Sequence, residues 1–117
     1  MKMTTAIDTL SALAHEGRLS VFRMLVKAGP VGIAAGDIAR KLGMPPSSLS
    51  ANLNILSHAR LVTSERDGRS IIYAANYSVM GKLLAYLMED CCGGRPEVCA
   101  PVMDIAAACC STSKQVC

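Results

Sequence analysis

The sequence predicts a mainly helical domain closed by a β-hairpin, and three observations carry that expectation. Apolar residues recur at helical intervals between residues 7 and 56; two strand-like stretches then flank an Asp-Gly dipeptide; a last helical stripe follows from about Ser78. At 117 residues the chain is one domain's worth of polymer. With 51% apolar and 18% charged residues it is not a disordered tail, and with 3% aromatics its core must be aliphatic. No apolar run approaches the roughly 18 residues a membrane span needs. Met1-Lys2-Met3 leads to Asp8 with no apolar stretch of the signal-peptide kind, so a cytoplasmic location is expected.

The elements follow in order. Ile7, Leu10, Leu13 and Ala14 predict a first helix, with Thr4 or Thr5 as its N-cap. Leu19, Phe22, Leu25 and Val26 predict a second, ended by Gly29-Pro30. Residues 35–42 predict a short third helix with Ile38, Ala39 and Leu42 inward and Gly43 just past its end. Pro45 or Pro46 suits the first turn of a fourth helix, which buries Leu49, Leu53 and Leu56 with Ile55 beside them. Residues 61–64 and 70–74 read as strands, with Asp67-Gly68 as the turn. The final helix carries Met80, Leu83, Leu84, Leu87 and Met88 on one stripe, read as core or dimer seam, and ends at Gly93-Gly94-Arg95-Pro96. A further short helix is possible over residues 101–110.

A short helix, a glycine turn, a second helix and a hairpin are the order of a winged helix-turn-helix. On the fourth helix the side away from the leucines presents Ser47, Ser48, Ser50, Ala51 and Asn54, with Asn52 near the boundary. Small hydroxyls and amides reach phosphates and base edges without steric cost. Arg66 and Arg69 flank the hairpin tip, within reach of a DNA backbone or minor groove. Arg18 and Arg23 could touch phosphate or lie on a solvated face, and His15 and His58 read as surface or cap residues. Residues 1–77 hold nine Lys/Arg against five Asp/Glu, within a net charge of +3, a mild excess that alone decides little.

In combination these segments resemble the ArsR family of small metalloid- and metal-responsive repressors. The matching residues are Ala12-Leu13-Ala14-His15-Glu16-Gly17-Arg18-Leu19, Asp37-Ile38-Ala39-Arg40-Lys41-Leu42-Gly43, residues 47–56, Ala59-Arg60-Leu61-Val62 and residues 66–73. The resemblance spans roughly residues 5–90. It implies a homodimer built from the first and last long helices, a fourth helix in the major groove of double-stranded DNA, and a palindromic operator with half-sites about 34 Å apart. It implies no enzyme, and no Cys/His nucleophile is supported by an orienting motif. Two departures matter. Ala34-Ala35-Gly36 stands where many arsenic-sensing relatives carry Cys-x-Cys, and the last helix lacks the histidines of zinc-sensing relatives.

All six cysteines fall in the last 27 residues: Cys91, Cys92, Cys99, Cys109, Cys110 and Cys117. The expected division is therefore a DNA-binding and dimerisation domain over residues 1–90 and a sensing tail over residues 91–117. In a reducing compartment such thiols are free or bind metal. Vicinal Cα atoms lie about 3.8 Å apart, short of the roughly 4.4–6.8 Å a disulfide prefers, so Cys91-Cys92 suits chelation of one soft centre. Trivalent arsenic or antimony binds three thiolates, and Cys99 can return after the Gly93-Gly94 bend as the third. A subset of the ArsR family carries such a vicinal pair and a third cysteine after the last helix. Cys109, Cys110 and Cys117 could form a second site, supply the third ligand or be dispensable. Zinc or cadmium sensing, thiol redox sensing, and inert thiols on a constitutive DNA-binding protein remain open. The C-x₂₋₄-C spacing of structural zinc is missing. DNA binding itself calls for no cofactor.

Overall fold

The structure, a computed structural model, describes residues 1–89. The chain divides into two compact units, Met1–Leu83 and Leu84–Cys117. The first contains seven complete elements and the start of an eighth. In order they are α1 (Met3–Leu13), α2 (Glu16–Ala28), β1 (Ile33–Ala34), α3 (Ala35–Leu42), α4 (Pro46–His58), β2 (Val62–Asp67), β3 (Ser70–Ala75) and α5 (Tyr77–Leu87). Of the second unit, the described part is the end of α5 and the turn to Glu89. The possible helix over residues 101–110 and the six cysteines lie outside the described residues.

The helices form for local reasons that the chain states plainly. Helix α3 closes on Gly43 at φ 62°, the left-handed conformation glycine adopts freely, with Met44 N–H donating to Ala39 O at 3.0 Å. Pro46 opens α4, where its missing N–H costs nothing. Helix α2 begins on His15, whose Nδ1 accepts from Gly17 N at 3.1 Å and Arg18 N at 3.4 Å. Glu16 in its first turn and Lys27 in its last complement the helix dipole. Asn76 caps α5, accepting from Val79 N at 3.4 Å.

Helix α1 departs from expectation at both its start and its face. It begins one residue after Lys2, so Thr4 and Thr5 sit inside the first turn rather than capping it. Its buried stripe is Ala6, Thr9 and Ala12, while Met3, Ile7 and Leu10 are exposed. Small side chains let the helix approach the body closely, and the Thr9 hydroxyl is satisfied within the helix by Thr5 O at 2.8 Å. In α2 likewise Val21, not Leu19, joins Phe22 and Leu25 in the interior.

The sheet has three antiparallel strands in the order β1-β3-β2. The two-residue β1, pairing Ile33 with Tyr73, was invisible in the sequence because it is too short for a period. Gly32 leads into it at φ 77°; a Cβ there would lie 2.5 Å from Tyr73 O, so only glycine fits. The hairpin pairs Asp67 with Ser70, which makes Gly68-Arg69 the turn, one residue later than expected. Gly68 has φ 63° and Arg69 does not go positive, as in a type II′ turn. The core is aliphatic around one aromatic: Val21, Phe22, Leu25, Ile38, Leu49, Leu53, Leu56, Leu61, Val62 and Ala75. It therefore lies where α2, α3 and α4 meet the base of the hairpin, and α4 is seated on it by three leucines.

Candidate nucleic-acid interface

Helix α4 separates its two sides cleanly. Leu49, Leu53 and Leu56 are buried at 3%, 2% and 0% exposure, at helical spacing. Ser47, Ser48, Ser50, Ala51 and Asn54 are all exposed. Among the described residues none of these polar side chains is engaged in a side-chain hydrogen bond. The result is a ridge of short donors and acceptors on a rigid helix, the geometry that fits a major groove.

Asn52 does not belong to that ridge. It is 8% exposed, and its Nδ2 donates to Met44 Sδ at 3.5 Å in the turn before α4. Gly17 in the first turn of α2 passes directly over it; a Cβ there would stand 3.0 Å from the Asn52 amide and 3.2 Å from the His15 ring. The expectation that Asn52 contacts DNA is thus corrected. Position 52 follows Leu49 and precedes Leu53 on the inward side, so its amide ties α2, α4 and the turn between α3 and α4.

The hairpin carries Arg66 and Arg69 at its exposed tip, where Arg66 Nε donates to Gly68 O at 3.4 Å. Glu65 and Asp67 lie in the same strand, so the tip has little net charge. Strand alternation puts those two carboxylates on the face opposite Arg66, leaving the guanidinium a surface of its own. Arg18 also needs reassignment. Its Nε donates to Ala12 O at 2.6 Å and its Nη2 to Ser11 O at 3.5 Å, closing the C-terminal end of α1. Arg23 and His58 are exposed, and His15 is the cap of α2. The signals for Asn52 and Arg18 were present only as spacing: an amide in register with leucines, and an arginine five residues beyond a helix end.

The fold has known counterparts. A family profile for a helix-turn-helix domain matches residues 13–65. The chain is 35% identical over 84 residues to the nodulation protein NolR of Rhizobium meliloti, over 72% of this chain and 66% of that protein. It thus spans about two thirds of that relative's length. It is 30% identical over 87 residues to the transcriptional regulator YgaV of Escherichia coli K12, over 74% of this chain and 86% of that protein. Among solved structures, the homodimeric winged helix-turn-helix DNA-binding domain Mb0332 of Mycobacterium bovis, a possible ArsR-family regulator, superimposes with a TM-score of 0.61 at 27% identity. That match covers 74% of this chain and 77% of the other. YgaV is a transcriptional regulator of the helix-turn-helix type. With its serine-rich fourth helix, its hairpin wing and this similarity, the chain belongs to the ArsR-like family of winged helix-turn-helix transcriptional regulators.

Proposed function

We propose that the chain is a homodimeric repressor that holds a palindromic operator through α4 and the wing, and lets go when Cys91, Cys92 and Cys99 capture trivalent arsenic or antimony. The observation that carries the DNA-binding part is the α4 ridge: five short side chains exposed on a helix whose opposite side is seated in the core. Helix α1 supports the dimer, since Met3, Ile7 and Leu10 make an exposed apolar stripe at i, i+4 and i+7. Leu84 and Leu87 of α5 are exposed as well. An isologous dimer presents two recognition helices related by a two-fold axis, which calls for a palindromic site.

The effector part rests on the chemistry of the cysteines in the sequence. A vicinal pair with a third thiol beyond a Gly-Gly bend offers three soft ligands, which suit a centre that takes three thiolates. Capture releases DNA only to the extent that the metalloid binds the DNA-incompetent state more tightly. A coupling of about 1–3 kcal/mol, or roughly 5–150-fold in DNA affinity, is typical. Fluorescence anisotropy of the full chain on an operator duplex, with and without one equivalent of arsenite per site, tests the reading. DNA affinity should fall with arsenite, and Cys91→Ser and Cys92→Ser should each abolish that fall. Unchanged affinity would overturn the sensor. A full response in both variants would overturn the ligand assignment, and a response to cadmium alone would replace the metalloid by a soft divalent ion.

A further inference from the structure

Arg60 occupies a position whose backbone asks for glycine. It has φ 62°, and the other described residues with positive φ, Gly29, Gly32, Gly43 and Gly68, are all glycines. The geometry is that of a helix end: Arg60 N donates to Ser57 O at 3.0 Å, and Leu61 N to Leu56 O at 3.0 Å. Glycine takes this conformation without strain, whereas a Cβ does not. Asn76 Nδ2 holds the strained peptide in place through Arg60 O at 3.0 Å. What arginine adds here is its side chain, at the expense of backbone comfort.

Arg60 borders an open surface depression of about 400 Å³ together with Met1, Thr5, Ala59, Val79 and Lys82. Its charged side chains, Arg60 and Lys82, are both cations, and no carboxylate side chain lines it. The depression bounded by Asp8, Arg18 and His58 and the one bounded by Glu16, Arg23 and Lys27 both mix signs. Among the described residues neither Arg60 nor Lys82 forms an ion pair; the pair present is Arg40 with Asp37. Met1, Ala59 and Val79 supply apolar wall, and Thr5 a hydroxyl.

We propose that this depression binds a small organic anion, a carboxylate with an apolar body. The Arg60 guanidinium takes the carboxylate with paired N–H donors, Lys82 adds a second positive charge, and Val79, Ala59 and Met1 cover the rest. Arg60 lies between the last residue of α4 and the first of β2, so the occupant sits at the joint between the recognition helix and the wing. This makes the depression a second input to the regulator, independent of the cysteines.

The test is amide-resolved NMR of the ¹⁵N-labelled full chain titrated with benzoate, inorganic phosphate, and a random 20-base-pair duplex (about that length) in separate arms. Benzoate should shift the amides of Thr5, Arg60 and Lys82 saturably. Lys82→Ala and Arg60→Gly should each weaken that binding by about tenfold or more. Arg60→Gly should at the same time melt a few degrees higher, because it relieves the positive φ. A gain in stability with a loss of binding separates a ligand residue from a structural one. A non-saturating benzoate response, or unchanged affinity in both variants, overturns the proposal. An equal response to phosphate overturns the apolar body of the ligand. Shifts of the same amides by duplex DNA alone reassign the two cations to the DNA backbone.

Discussion

Two asparagines two residues apart on α4 have opposite tasks, and the difference is set by the helical turn between them. Asn54 is exposed, while Asn52 is buried against Met44 and beneath Gly17. Asn54→Ala should leave the melting temperature unchanged and relax base preference at one operator position by about 1–3 kcal/mol. Asn52→Ala removes a buried amide at a cost of about 1 kcal/mol. It should lower the melting temperature by a few degrees and weaken all duplexes together. Thermal melting beside selection from a randomised duplex pool separates the two outcomes. A shifted preference in Asn52→Ala with unchanged melting would restore that residue to the DNA-contacting set.

The wing works as an element because its turn and register place Arg66 and Arg69 at an exposed tip while Glu65 and Asp67 face the other way. If each arginine neutralises one phosphate, Arg66→Ala and Arg69→Ala should each reduce the slope of log affinity against log salt by about 1, with sequence preference intact. Anisotropy across a salt series measures it, and an unchanged slope would remove that arginine from the interface. Helix α1 is an element of a different kind. Ala6, Thr9 and Ala12 face the body, with Leu13 partly against the core, and Met3, Ile7 and Leu10 face out. The alternation of size, rather than of polarity, decides which face is which, because Ala6, Thr9 and Ala12 permit close packing that Ile7 and Leu10 would block.

At the scale of the whole molecule, the exposed α1 stripe has a use only if a second surface covers it. Ile7→Glu with Leu10→Glu should leave the fold of the first unit intact, since both side chains are already outside its core. The same pair should turn a dimer into a monomer in light scattering and reduce affinity for a two-half-site operator far more than for a single half-site. A variant that stays dimeric would place the interface elsewhere. Among the described residues the core is built of aliphatic side chains and Phe22.

Much of this was written into the sequence. Gly43 and Pro46 bracket the turn of the helix-turn-helix, and the leucines at 49, 53 and 56 orient α4, because both signals are local: a backbone conformation and a helical period. The serine ridge followed at once from those leucines. What only the tertiary structure decided involves residues close in space and distant in sequence. The two-residue β1 exists because β3 is there to pair with it. The outward face of α1, the burial of Asn52 and the clamp by Arg18 depend on which neighbour arrives, at what distance, and no spacing encodes that. Arg60 shows the same division. The sequence displays an arginine between a helix and a strand, but its left-handed backbone and the company of Lys82 emerge only when α1, the connection after α4 and α5 come together around one depression.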